Sequence, residues 1–286
     1  ETVYGLGGNA NNEKTIKKIY QLKNRPRINP IICHFKNINE IEKNFFLTNK
    51  AYDLATKFFP GPLTLILEKK KSSKISPIIS NNNKFVGCRI PSHFIAQKLL
   101  NAINFPIAAP SANLSSKLSP TKISHISESL LKNAYFIDGG KSLYGLESTV
   151  VKIDENSASI LRLGSITFEE IKKIIPNTTI DNLETKLISP GQLIKHYSPD
   201  KPIRINVDYV DEDESLLNFG LNNLKSNIFE LNLSINSNLE EASRNFYDYL
   251  HIIDKSKCKR IAIAPIPNTD LGKTINDRLK RASSMK

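Results

Sequence analysis

Two short polar runs in this chain have the residue types to bind an anion: Lys23-Asn24-Arg25, and the later turn Pro110-Ser111-Ala112-Asn113. Two cations and two neutral donors converging on one point can hold phosphate oxygens, and a guanidinium can do so bidentately. Each run alone has an ordinary reading. A Lys-x-Arg after a helix complements the helix dipole, and Pro-Ser-Ala-Asn is a common turn in which Ser and Asn satisfy nearby backbone. Position favours a site. Pro26 and Pro30 stop the preceding helix and leave both cations on a stiff connection. Ser111 and Asn113 follow an apolar strand at 106–109, and the carboxyl ends of strands are where open α/β sheets bind ligands.

Further residues carry weaker signals. His34 ends an apolar strand, which suits a hydrogen-bonded core histidine as well as a catalyst. Arg89 directly follows another apolar strand, so its charge needs a partner or a cavity. Gly139-Gly140 and Gly145 bracket a loop that either admits a ligand closely or simply turns.

The elements that must position these groups alternate. Ile16, Ile19 and Tyr20 recur at helical spacing within 12–24, and a strand follows at 31–35. A helix at 49–59 ends at Pro60-Gly61-Pro62, before a buried strand at 63–67. Strands at 86–88, 106–109 and 135–137 alternate with helices at 94–102 and near 122–131. Residues 147–153 and 157–163 read as a hairpin, and Thr167 with Glu170 forms a capping box opening a helix to Ile175. This is an α/β domain with a mixed sheet. Periodicity lapses between Pro176 and Pro202, where Ser189-Pro190-Gly191 and His196-Tyr197-Ser198-Pro199 punctuate a linker rich in groups unusual for a passive spacer. Beyond it, strands at 203–207, 227–233 and 260–264 and a helix at 239–254 predict a smaller three-layer α/β domain. The division is 1–176, a linker at 177–202, and 203–286.

With 40 Lys and Arg against 28 Asp and Glu, the net charge is +12, which suits a nucleic-acid binder or an enzyme of polyanionic substrates. The lysines are spread along the chain, as a generally basic surface would have them. No apolar run approaches the roughly 18 residues of a membrane span, and no secretory signal is visible. Cys33, Cys88 and Cys258 are too few and too scattered for a disulfide framework or a metal cluster. A reducing cytoplasm is the expected home.

In order, the stretches Glu1-Thr2-Val3-Tyr4-Gly5-Leu6-Gly7, Lys23-Asn24-Arg25-Pro26, Asn29-Pro30-Ile31-Ile32-Cys33-His34, Phe59-Pro60-Gly61-Pro62-Leu63-Thr64, Arg89-Ile90-Pro91, Ala109-Pro110-Ser111-Ala112-Asn113, Ser119-Pro120-Thr121 and Gly145-Leu146-Glu147-Ser148-Thr149-Val150 resemble the YrdC-domain threonylcarbamoyl-adenylate synthases in their two-domain form. The linker motifs match too, and the second domain matches loosely through Ala242-Ser243-Arg244-Asn245 and Ile275-Asn276-Asp277-Arg278-Leu279. The resemblance implies a YrdC-like twisted mixed sheet with flanking helices, short of a first strand that the family carries before Glu1, plus a smaller Rossmann-like domain. It implies an ATP-dependent synthase that converts L-threonine, bicarbonate and ATP to threonylcarbamoyl-AMP and pyrophosphate. Mg²⁺ would be held through the ATP phosphates rather than by a protein cage.

Carried over by the resemblance, Lys23, Arg25, Ser111 and Asn113 are the catalytic candidates, and Arg25, Asn29, Ser111, Asn113, Ser119, Arg162, His196 and Tyr197 would bind ATP. Thr2, His34, Arg89, Ala109 through its backbone, and Ser148 would bind threonine, with Arg89 facing its carboxylate. His196 and Tyr197 would belong to a lid. The implied partners are the machinery that transfers the threonylcarbamoyl group to tRNA, and weakly tRNA or double-stranded RNA. Two alternatives remain: a basic RNA-binding module without synthase activity, and a carbamoyl-transfer relative, whose added cysteine-rich modules are absent here.

Overall fold

The computed structural model describes residues 1–181 and 197–283. Helix α1 (Glu13–Leu22) starts where the Asn12 side chain accepts from the Thr15 amide, and it buries Ile16, Ile19 and Tyr20. It stops in a Schellman arrangement, with the Arg25 amide on the Tyr20 carbonyl (2.9 Å) and the Asn24 amide on the Gln21 carbonyl (3.1 Å). Asn24 takes the left-handed conformation (φ 49°) that this ending requires, and Asn tolerates it better than most residues. Lys23 and Arg25 are thereby turned back toward the sheet.

Nine strands form the larger sheet among the described residues: β1 (Gly8–Asn9), β2 (Cys33–His34), β3 (Phe45–Phe46), β4 (Leu63–Lys69), β5 (Phe85–Arg89), β6 (Ile107–Ala108), β7 (Thr149–Ile153), β8 (Ala158–Arg162) and β9 (Thr178–Ile180). Their order is β1-β6-β2-β5-β4-β7-β8-β9, with β3 on β4. The β2–β5, β4–β7 and β8–β9 pairs are parallel and the others antiparallel, so the sheet is mixed. Helices α2 (Ile38–Asn44), α3 (Asn49–Phe58), α4 (Phe94–Ala102), α5 (Glu128–Leu131) and α6 (Phe168–Ile174) flank it. The capping box of Thr167 and Glu170 opens α6 as the sequence requires.

Several expectations change. Residues 135–137 form no strand, and Tyr135, Phe136 and Ile137 are exposed: β-branched and aromatic character needs a ladder partner, and none lies beside them among the described residues. The helix near 122–131 is broken into a 3₁₀ turn (Ile123–His125) and α5, because His125 turns back to accept from the Thr121 amide at 3.2 Å. Strand β9 lies inside the stretch read as a linker. With three residues, it has too little periodicity to announce itself.

The smaller domain has β10 (Ile203–Ile205), β11 (Glu214–Asn218), β12 (Glu230–Asn232) and β13 (Arg260–Ile263), with α7 (Leu239–Asp254) and α8 (Asp270–Ser283). Its four strands are all parallel in the order β10-β13-β11-β12. One face buries Leu217, Ile261 and Ile263 against α7 and α8, while Val207, Leu216 and Ala262 cluster with Val210 and Leu224. Leu118, Leu146 and Tyr197 join the α7–α8 core, so the two domains share apolar packing. Gly145 (φ 73°) lies so close to α7 that a Cβ there would sit 2.4 Å from the Ser243 carbonyl oxygen.

Candidate active site

Of the two cations after α1, Lys23 meets the 110–113 turn and Arg25 turns to Asn29 and Pro30. Lys23 is 1% exposed. Its ammonium donates to the carbonyl of Ser111 at 2.5 Å and to that of Asn113. Burial, then the neighbouring Arg25 charge, push its pKa down to about 7. Arg25 donates through Nε to the Asn29 carbonyl (3.1 Å) and through Nη2 to Asn29 Oδ1 and the Pro30 carbonyl, both at 2.6 Å. Neither cation has a carboxylate within ion-pair distance among the described residues. Buried positive charge with no carboxylate beside it attracts an anionic ligand.

In front of these groups lies a cavity of about 590 Å³. Arg25, Ser111, Ser148, Arg162 and Tyr197 line it, as do Thr2, His34, Arg89 and Ala109. Lys23, Asn29, Asn113 and Ser119 stand behind that wall. Asn29 braces Arg25, the Asn113 amide donates to the Leu114 and Lys117 carbonyls at 2.8 Å each, and Ser119 donates to Glu147 Oε1 at 2.6 Å. His196 lies outside the described residues, whereas Tyr197 holds a left-handed backbone (φ 65°) that brings its ring to the cavity. That conformation is costly for a bulky side chain and is held here by tertiary contacts.

The strand ends carry the remaining groups. Arg162, at the end of β8, donates from Nε and Nη2 to the Ser148 carbonyl (3.2 and 2.8 Å) and from Nη2 to its Oγ (3.0 Å). Ser148 Oγ also meets Thr64 Oγ1 at 2.7 Å, which fixes the hydroxyl. Gly164 allows this approach, because a Cβ there would lie 2.3 Å from the Thr149 amide nitrogen. Arg89, at the end of β5, donates to the Gly61 carbonyl (3.1 Å) and Thr2 Oγ1 (2.9 Å) and pairs with the Glu1 carboxylate. Three of its five N–H groups are thus committed, and the rest of the fork remains for a ligand carboxylate. His34 holds its Nδ1 3.3 Å from the Ile107 carbonyl. Burial, followed by the Arg89 charge, brings its pKa to about 4. The ring is therefore neutral near pH 7, Nδ1 carries the proton, and Nε2 is an acceptor. Ala109 commits its amide to the Ile32 carbonyl at 3.0 Å, which leaves its own carbonyl for a ligand.

The sequence reading did not single out Glu147, Tyr247 or Arg278. Glu147 lines the cavity and accepts from Ser119, from Tyr247 OH (2.9 Å) and from Arg278 Nε (3.0 Å). Burial opposes its charge, but Arg278 and Arg162 outweigh burial and hold its pKa near 2. A usable signal existed in α8, where Arg278 stands among Ile275, Leu279 and Ala282 on the buried helix face.

Fold and cleft together define a two-domain α/β protein that seats an anionic ligand beside a second, small polar one. Comparison with known proteins gives that class a family. The family model described as "Telomere recombination" matches residues 1–164, and that described as "Threonylcarbamoyl-AMP synthase, C-terminal domain" matches 166–284. The chain is 35% identical to the threonylcarbamoyl-AMP synthase of Bacillus subtilis, covering 99% of this chain and 87% of that protein. It is 33% identical to that of Pyrococcus abyssi, covering 99% and 88%. The crystal structure of P. abyssi Sua5 complexed with L-threonine superposes with a TM-score of 0.90 at 31% identity, covering 99% of this chain and 88% of that one. The chain belongs to the threonylcarbamoyl-AMP synthase family and is an enzyme of that class.

Proposed function

We propose that this cavity binds ATP and L-threonine side by side and joins them through bicarbonate to give threonylcarbamoyl-AMP, pyrophosphate and water. The observation that carries the reading is two groupings on one cavity: Arg25, whose charge acts with those of Arg162 and Tyr197, and Arg89, which donates to Thr2 Oγ1 at 2.9 Å and whose charge acts on His34. The relative bound to L-threonine supports the amino-acid half.

In this reading the threonine amine attacks bicarbonate carbon, and loss of water leaves a carbamate. A carbamate oxygen then attacks the α-phosphorus of ATP, and the bond to the β-phosphate oxygen breaks as pyrophosphate departs. No protein nucleophile is needed. The cavity aligns two anions and offsets the charge that develops, which is what fixed cations and hydroxyls do best. Arg89 meets the threonine carboxylate with the free side of its fork. Ser148 Oγ, Thr2 and neutral His34 offer partners to the amine and hydroxyl. Tyr197, at the end of the 177–202 stretch, closes the nucleotide side and limits water, which would hydrolyse the mixed anhydride.

Among the described residues no group of three or more His, Cys, Asp or Glu is placed to hold a metal. Of the cavity's two carboxylates, Glu1 is engaged with Arg89 and Glu147 with Arg278. Mg²⁺ would then be held through the ATP phosphates rather than by these carboxylates, and would supply charge neutralisation for pyrophosphate. The product would pass to an enzyme that transfers the threonylcarbamoyl group to tRNA. An RNA-binding module would leave the buried Arg89–Thr2 pocket without a purpose.

Incubation with ¹⁸O-bicarbonate, ATP, Mg²⁺ and threonine tests the route. The proposal expects labelled threonylcarbamoyl-AMP and unlabelled pyrophosphate. Label in the pyrophosphate would place the attack at another phosphorus and overturn it.

A further inference from the structure

Arg278 lies on α8 of the smaller domain, is fully buried, and does not line the cavity. It nevertheless touches two residues of the cavity wall, Glu147 and Tyr197, and the backbone next to a third, Arg162. Its Nε donates to Glu147 Oε2 at 3.0 Å, its Nη2 to the Leu163 carbonyl at 2.6 Å, and its guanidinium lies 4.6 Å from the centre of the Tyr197 ring. Nη1 donates to Asp277, which is also held by Arg281 at 3.1 Å. On the larger domain, Arg162 donates to Ser148 alone among the described residues, although the carboxylate of Glu147, the residue before Ser148, sits on the same wall.

The charges explain why this contact matters. Glu147 is one of two carboxylates on the cavity and is ionised. Without Arg278 that carboxylate would keep its Ser119 and Tyr247 donors but lose its ion-pair partner, so its charge would repel a nucleotide's phosphates and draw on Arg162 instead.

We propose that Arg278 is a positioning residue for the nucleotide. It holds the Glu147 carboxylate turned toward α7 and α8, so that Arg162 and Arg25 keep their charge for phosphate. The smaller domain then acts on the reaction directly, through one buried guanidinium. The inference rests on reading the cleft as an ATP site, and a wild-type protein that fails to bind ATP would sink that reading rather than this one.

The test uses full chains carrying Arg278→Met and the pair Glu147→Gln with Arg278→Met, assayed for the KM of ATP, the KM of threonine, kcat and melting. The single variant is expected to raise the ATP KM by about tenfold or more with a threonine KM changed by about twofold at most. The double variant removes both members of the Glu147–Arg278 pair, so neither is left without the other, and it provides the deciding comparison even if the single variant is too unstable to assay. Its ATP KM is expected to return to within about threefold of wild type. An ATP KM in the double variant raised by about tenfold, or ATP and threonine KM values rising together in both variants, would show Arg278 to be a brace for the fold alone and would overturn the proposal.

Discussion

The Lys23 ammonium donates to the main-chain carbonyl of Ser111 at 2.5 Å. The two motifs that the sequence offered as one anion site therefore do meet, but through backbone: the lysine shapes the turn whose serine lines the cavity. Arg25 is the member of the basic run that reaches the cavity itself.

Replacing Lys23 by Met keeps the volume and removes the donor. Two buried carbonyls then lose a partner, a cost of about 1–3 kcal/mol. The expected outcome is a lower melting temperature together with a rise of about tenfold in the ATP KM. Calorimetry and steady-state kinetics on one preparation check both. An unchanged ATP KM would remove Lys23 from the site.

Arg89→Lys retains charge but loses the planar fork that serves Gly61, Thr2 and Glu1 at once. Threonine KM should rise by about tenfold or more, with ATP KM little changed. Equal losses for both substrates would mean that Arg89 only braces β5.

Tyr197 reaches the cavity from a strained backbone and stacks on Arg278. Tyr197→Phe preserves the stack, and Tyr197→Ala does not. The alanine variant should raise the ATP KM and increase hydrolysis of threonylcarbamoyl-AMP, measured as free AMP per pyrophosphate. A ratio like that of wild type would remove any closing role.

His34 and His125 have pKa values brought down to about 4, and His251 is also lowered, in each case chiefly by burial. Between their ordinary 6.5 and about 4, the unfolded chain takes up protons that the folded chain refuses. Stability is therefore full above about pH 6.5, falls as pH drops through that window, and levels below it, by at most about 1.4 kcal/mol per pH unit for each group. Glu147, held near 2, adds its own loss only between 4.5 and 2. Melting temperature followed from pH 7 to 4 should decline, and less steeply in His125→Gln. A flat curve would show these rings charged in the native state.

The features legible in the sequence were the locally encoded ones. The helical spacing of Ile16, Ile19 and Tyr20 marked α1, the hairpin of β7 and β8 read as a pair, and Arg89, after an apolar strand, needed a partner or a cavity. What escaped depends on distant partners. Strand β11 carries the short run Leu216-Leu217 between polar residues and is defined by pairing with β12 and β13. Tyr135, Phe136 and Ile137 have strand composition but no ladder. Glu147 looked like one residue of a motif, and its partners Tyr247 and Arg278 come from the other domain, so no spacing rule connects them.

The central claim is that one cleft activates threonine, by way of bicarbonate, at the expense of ATP. Pyrophosphate release measured with each substrate omitted in turn tests it most directly. The account predicts release only when ATP, threonine and bicarbonate are all present, and its loss in Arg25→Ala. Release that continues without threonine, or none with all three, would contradict it.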